Sequence, residues 1–297
     1  MVSLTTSISA KRKTEGVAKS LFLIASLFVI LAVVSICVFI FKEGASFFRT
    51  ESLSGFLFSA VWKPTADVPS YGILSFIVAS LEVTFLSLLF ALPLGLFVSI
   101  ALEEVVSARL KSVIGGFIEV LQGIPSVIFG LVGMSLVVPF VKTHFGGNGY
   151  SILTSSIVLA IMILPTLTNV ISTALEGVNT ALKEGSYALG ATKAETVFRV
   201  VLKDSRLGII TAVILALGRS VGETTAVLML LGNASLFPRS LLSMSRTLTM
   251  NIVTDMSYAE GVHMNALFAT SLLLLIIILL LNSLTIYISH KVRKNNG

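Results

Sequence analysis

The chain has 297 residues, of which 55% are hydrophobic and 12% charged, and its mean hydropathy is +0.98. A soluble domain carries about 25% charged residues, so the composition excludes a soluble enzyme or binding module and implies an integral membrane protein. The net charge of +6 flanks apolar runs, where Lys and Arg set topology and meet lipid rather than nucleic acid.

A spanning helix needs about 20 apolar residues. Six runs meet this, at roughly 20–41, 73–100, 113–140, 152–174, 207–231 and 265–288. The expected fold class is therefore an all-α integral membrane protein with six transmembrane helices. The first run follows the basic stretch Lys11, Arg12 and Lys13. It is too long for a signal-peptide core and lacks a small-residue cleavage pattern, so it reads as a retained helix. Cys37 lies inside it, and a single cysteine permits no internal disulfide. His144, His263 and His290 show no metal-ligand spacing and read as loop or tail histidines.

The second, third and fourth runs carry helix breakers: Pro93 with Gly95, Gly123 with Pro125, and Pro165. They permit either packing geometry or kinked helices around a pathway that opens and closes. Loop charges give the orientation: fourteen Lys and Arg fall on one side of the membrane and six on the other. The basic side is expected to be cytoplasmic, with both termini there. The division expected is residues 1–72 as tail, first helix and external loop, 73–290 as a core of five helices, and 291–297 as a cytoplasmic tail.

Residues 175–206, on the expected cytoplasmic side, are too ordered for a simple connector. Asn179 can N-cap a helix over 180–189, and Gly190 suits the position just past its end. "TKAE" is a capping box, Thr192 with Glu195. The helix it starts should place Ala194, Val197, Phe198 and Val201 on one face. Such a hairpin either caps the bundle or docks a soluble partner.

The stretch "EGSYALGATKAETVFRVVLKD" resembles the EAA-type coupling segment of ABC importer permeases. Glu184 and Gly190 match its fixed positions, whereas Gly185 and Ser186 replace its two alanines and Lys203 its proline. The resemblance implies that this segment, with Glu184, Gly185, Ser186 and Gly190, couples to a separate ATPase. The chain has no G-x-x-x-x-G-K-[ST] phosphate loop, so ATP and magnesium would be bound by that partner, and no cofactor or metal is expected here. "GIPSVIFGL", "LAIMILPTLTN", "LGRSVGETTAVLMLLGN" and "RTLTMNI" look like the corresponding segments of phosphate ABC transporter permeases, PstC-type rather than PstA-type. That likeness implies a type I importer bundle in the inner membrane. Its implied partners are a homologous PstA-type permease, an ATPase dimer and an external phosphate-binding protein.

The fifth run holds Arg219 and Glu223, although an ionised group at the bilayer centre costs at least roughly 2.5–3.5 kcal/mol. On a continuous helix they are four apart and can pair. The pair is either structural, locking helices together, or a charged site on an anion pathway. A guanidinium fork suits a tetrahedral oxyanion, and in the resembled family an arginine and a glutamate of this helix are implicated in phosphate passage. Glu82 is a third intramembrane carboxylate, either lining the pathway or bonding another helix. Glu119 and Gln122, before the "GIPS" break, are secondary. No catalytic constellation is present, so the chain is not expected to be an enzyme by itself. An ATP-independent anion carrier or channel, or an importer for sulfate or molybdate, are the alternatives.

Overall fold

The computed structural model describes residues 2–295, with side chains described at residue 15, residues 18–284 and residues 286–287. The side chains of Lys11, Arg12, Lys13, His290 and the tail 291–297 lie outside that set. Among the described residues, five helices are long and apolar enough to cross a membrane: Ala18–Phe47, Leu74–Val105, Ser126–Phe145, Ile152–Glu176 and Val262–Leu284.

In chain order, α1 (Val2–Phe47) is followed by the short α2 (Leu53–Phe58) and a two-stranded antiparallel ribbon, β1 (Trp62–Lys63) with β2 (Ser70–Tyr71). Next, α3 (Leu74–Ile100) runs into a π-helical turn, Ala101–Val105. The amphipathic α4 (Ala108–Gly123) precedes α5 (Ser126–Val132), a second π turn (Gly133–Val137) and α6 (Val138–Phe145). The long α7 (Ile152–Glu176) leads to a hairpin of α8 (Thr180–Ala188), α9 (Lys193–Thr196), a third π turn (Val197–Val201) and α10 (Leu202–Asp204). Then come α11 (Arg206–Gly222), α12 (Thr225–Leu230), α13 (Leu248–Asp255) and α14 (Val262–Asn295).

The breakers behave differently from one another. Pro125 pushes Ile124 to extended backbone (φ −71°, ψ 126°), so the run expected over 113–140 is divided. Its first part becomes the largely exposed α4, and the spanning piece starts at Ser126. Pro93 and Pro165 do not interrupt α3 and α7, which continue through them. Each proline removes one backbone hydrogen bond, but neighbouring helices hold the chain on course. The run expected over 207–231 is helical in two pieces, α11 and α12.

Packing follows membrane logic. The buried face of α3 is Ala79, Ser80, Val83, Thr84, Ser87, Ala91, Gly95 and Ser99, at helical spacing and mostly small. The large residues Leu81, Phe85, Leu89 and Phe97 point outward. Helices gain little in lipid by burying apolar surface, so close approach of backbones takes its place. The Ser99 hydroxyl, bonded to the Gly95 carbonyl of its own helix at 2.7 Å, also reaches the Thr168 carbonyl at 3.0 Å, and the Ser156 hydroxyl, bonded to the Ile152 carbonyl at 2.7 Å, lies 3.4 Å from the Val83 carbonyl, so both sit at the α3–α7 contact. Gly95 serves this contact: a Cβ there would lie 3.1 Å from the Cβ of Leu167.

The hairpin lies at one end of α3, where Lys183 Nζ pairs with Glu104 at 2.5 Å. A second core of Phe47, Phe56, Trp62, Tyr71, Ile73, Phe76, Leu248 and Leu267 gathers at the opposite end, around the start of α3.

The α7–α11 contact is as close. A Cβ at Gly208 would lie 2.1 Å from the Cβ of Ala174, whereas one at Gly115 meets nothing within 4 Å. Overpacking costs about 1–3 kcal/mol. Gly208→Val should therefore lower the thermal midpoint of the purified protein by several degrees, while Gly115→Ala leaves it unchanged or raised. Equal midpoints for Gly208→Val and wild type would disprove the close contact.

Candidate functional site

Arg219 sits in the last turn of α11, its side chain exposed on the isolated chain. Its Nη1 donates to Thr166 Oγ1 at 3.1 Å. Thr166 follows Pro165 near the middle of α7, so the guanidinium stands at mid-depth of a membrane-spanning helix rather than at its rim.

The helix that carries Arg219 ends three residues later. Glu223 is extended (φ −70°, ψ 126°), and α12 restarts at Thr225. The sequence Gly222-Glu223-Thr224-Thr225 explains the break: glycine weakens a helix, and hydroxyl side chains favour termini over interiors. Thr224 Oγ1 donates to the Gly222 carbonyl at 3.3 Å. The Glu223 carboxylate accepts from Ala226 N–H at 3.2 Å, so it caps the start of α12, where free N–H groups favour an anion.

This corrects the pairing expected of Arg219 and Glu223. That pairing needs a continuous helix, which stops at Gly222, and among the described residues no ion pair joins them. Instead, Glu223 meets α3. Ser80, Val83, Thr84, Ser220, Val221, Val227 and Thr247 enclose it in a seam too tight for water. Thr249 Oγ1 donates to the Glu223 carbonyl at 3.2 Å, and Leu248 N–H donates to Ser80 Oγ at 3.0 Å. Glu82, on α3, is half-buried with Oε2 buried and unbonded, and it bonds neither Arg219 nor Glu223.

The hairpin bears out its caps. Asn179 accepts from Ala181 N–H at 3.0 Å, Thr192 and Glu195 form the reciprocal capping box, and Gly190 takes φ +83°. Hydrogen bonds from Thr192 draw the Glu195 carboxyl below its ordinary range. Ser186 Oγ meets Thr196 Oγ1 at 2.9 Å and ties the two arms. The expected apolar face is displaced, however. The π turn at 197–201 widens the period, so Thr196, Val197 and Val201 are buried, whereas Ala194 and Phe198 are exposed. Glu184 and Gly185 are exposed, as are Leu182, Tyr187 and Leu189, the last at 91%. An apolar patch therefore crowns a polar hairpin.

Sequence reasoning missed a buried polar node at the opposite end. Arg246 is 8% exposed and Asp255 1%. Arg246 Nη1 donates to Asp255 Oδ1 at 2.9 Å and to Asn251 Oδ1 at 3.0 Å, and its Nε donates to Asn233 Oδ1 at 2.9 Å. Asp255 also accepts from Tyr258 OH at 2.6 Å and Trp62 Nε1 at 2.8 Å, and lies 3.3 Å from His263 Nε2. His263 is thus buried at the head of α14 rather than loose in a loop. The signal in the sequence was Arg246, Asn251 and Asp255 within an otherwise uncharged stretch.

Fold and site together define a multi-helix membrane permease, with a charged mid-depth helix break and a patch-bearing hairpin at one end. The chain belongs to the family of binding-protein-dependent transport system inner membrane components, whose profile matches residues 91–294. It is 38% identical over 271 residues to the probable ABC transporter permease protein YqgH of Bacillus subtilis, covering 90% of this chain and 88% of that protein. It is 34% identical over 263 residues to the phosphate transport system permease protein PstC of Mesorhizobium japonicum, covering 82% and 80%. A chain of a bacterial ABC transporter for alginate import shares the fold with TM-score 0.60 at 16% identity, covering 94% of this chain and 99% of that one. A chain of the inward-facing MetNI methionine ABC transporter does so with TM-score 0.59 at 20% identity, covering 74% and 95%.

Burial raises the Asp255 carboxyl, but hydrogen bonds from Tyr258 and Trp62 and the charges of Arg246 and His263 outweigh it, leaving it below the ordinary range. A depressed folded-state value contributes stability that is present above the ordinary carboxylate range and lost as pH falls through the folded value. Asp255→Asn leaves Arg246 buried without its counter-charge, which costs about 3–5 kcal/mol. Thermal unfolding should show a large loss for Asp255→Asn at pH 7 that shrinks on acidification below the carboxylate range. A loss independent of pH would show that shape, not charge, is what Asp255 supplies.

Proposed function

We propose that this chain is a permease subunit of an ATP-driven phosphate importer, and that phosphate passes Arg219. The observation that carries the reading is Arg219 itself: a permanent cation at mid-depth, exposed on the isolated chain and held by one hydrogen bond to Thr166. Such a charge cannot face hydrocarbon. It faces a pathway, which in this reading lies between this chain and a homologous PstA-type permease. The planar fork suits a tetrahedral oxyanion, and the likeness to PstC proteins over most of the chain supports phosphate as that anion. Glu223 keeps the site from holding the anion too tightly, as a pathway must release what it binds. In this reading Glu82, a further intramembrane carboxylate, also lines the pathway.

The remaining partners follow the family. An external phosphate-binding protein delivers the anion at the Trp62 end. The hairpin with Glu184, Gly185, Ser186 and Gly190 lies on the cytoplasmic side of the inner membrane, and its exposed Leu182, Tyr187, Leu189 and Phe198 seat in an ATPase subunit. That ATPase, as a dimer, binds ATP and magnesium. Closure of the dimer moves the hairpin, and through the Lys183–Glu104 pair it moves the end of α3.

The complete importer, reconstituted in vesicles with its binding protein and ATPase, should take up phosphate when ATP is supplied and sulfate far more slowly. Arg219→Lys keeps the charge but loses the fork, and uptake should fall at least tenfold while assembly and thermal midpoint stay as in wild type. Full uptake by Arg219→Lys and Arg219→Ala would remove Arg219 from the pathway.

The hairpin reading has its own check. A β-branched residue is strained at φ +83°, and nothing packs against Gly190. Gly190→Val should insert normally but weaken retention of the ATPase on an affinity column and uncouple hydrolysis from uptake. Wild-type uptake by a correctly inserted Gly190→Val protein would rule the hairpin out as the coupling element.

A further inference from the structure

We propose that a cavity of about 310 Å³ at the Trp62 end is a second anion site, holding a tetrahedral oxyanion above the closed seam at Glu223. The choice of phosphate as its physiological occupant rests on the importer reading. Trp62, Lys63, Pro64, Ser235, Arg246 and Tyr258 are among the residues that line it, together with Asp255.

The donors point to an anion. Arg246 spends Nε on Asn233 and Nη1 on Asn251 and Asp255. Its Nη2 has no protein partner among the described residues, although the side chain is nine-tenths buried. Nη2 is open to solvent rather than enclosed, and the cavity that Arg246 lines is where it can meet an acceptor. The Ser235 hydroxyl and the Lys63 ammonium also have no side-chain partner among the described residues, and Lys63 is exposed.

Asp255 does not repel the anion as a free carboxylate would. Oδ1 already accepts from Arg246 and Tyr258, and Oδ2 from Trp62 with His263 beside it. Its charge is spent holding the guanidinium in place, which leaves Lys63 as the uncompensated cation of the cavity. The volume fits one oxyanion with several waters, each taking about 30 Å³.

The location fits a holding site. Arg246 lines the cavity, and its neighbour Thr247 lines the seam around Glu223. An anion beside Arg246 is therefore separated from the pathway break by one short segment.

Trp62 is the single tryptophan of the chain and lines the cavity, so its fluorescence reports occupancy directly. The full-length protein in lipid nanodiscs would be titrated with inorganic phosphate at constant ionic strength, chloride making up the balance. The emission should change saturably. Lys63→Gln should raise the half-saturating concentration at least threefold. Arg246→Lys, if its thermal midpoint is retained, should raise it at least tenfold. A response that never saturates, that chloride reproduces, or that Lys63→Gln leaves unchanged would overturn the site. ATP-driven phosphate uptake by the reconstituted importer is read separately. Uptake without a Trp62 response would discard this site and leave the importer reading standing. A saturable Trp62 response without uptake would keep the site as an oxyanion site and discard the importer reading.

Discussion

Hydrocarbon gives helices little reason to associate through apolar burial, and it tolerates no unpaired charge. Those two constraints order this molecule. The first selects mostly small residues for the inner faces of α3 and α11, with Gly95 against Leu167 and Gly208 against Ala174 of α7, and sends large residues such as Phe85 and Phe97 outward. The large core side chains of α7, such as Ile163 and Leu167, thus pack against closely approaching neighbours, and the Ser99 hydroxyl adds a contact to the Thr168 carbonyl. The second places Lys183 with Glu104 at one end, Arg246 with Asp255 at the other and Glu223 in a seam.

Arg219 and Asp255 are two answers to the second constraint. Asp255 is neutralised internally: four donors from four parts of the chain meet it, so it is a fixed structural charge. Arg219 has one neutral partner, Thr166, and stays open. A saturated charge makes architecture, and an unsaturated one at mid-depth is what the proposed pathway rests on. Glu223 stands at the helix break, where one of its carboxylate oxygens accepts from Ala226 N–H at the start of α12.

What the sequence made legible was local. The caps of the hairpin depend on residues within four positions of one another, and Asn179, Thr192, Glu195 and Gly190 were all readable. The break at Pro125 was readable because proline constrains its own neighbour. Periodicity misled wherever the helix was not a regular α-helix. The π turn at 197–201 moved Phe198 out of the buried face, and the stop at Gly222 undid the Arg219–Glu223 pairing. The Arg246–Asp255 node was illegible for another reason: Trp62 reaches Asp255 across 193 residues of chain. A single sequence shows a charged residue in a loop, and only the fold shows who meets it.

The node and the break are mechanically one unit. Arg246 is fixed by Asp255, and within three residues the same strand of chain gives Leu248 N–H to Ser80 of α3 and the Thr249 hydroxyl to the Glu223 carbonyl. Backbone this short and this pinned cannot shift at one end and stay still at the other. Trp62 brings the β-ribbon into the node, and His263 brings α14. Any rearrangement that parts the ribbon from α14 must therefore break bonds to Asp255, and it pulls on the segment that closes over Glu223. The seam around Glu223 is thus tied to bonds made elsewhere in the fold. The bonds that hold it lie at the end of the bundle farthest from the hairpin, while the Lys183–Glu104 pair grips the other end of the same helix, α3.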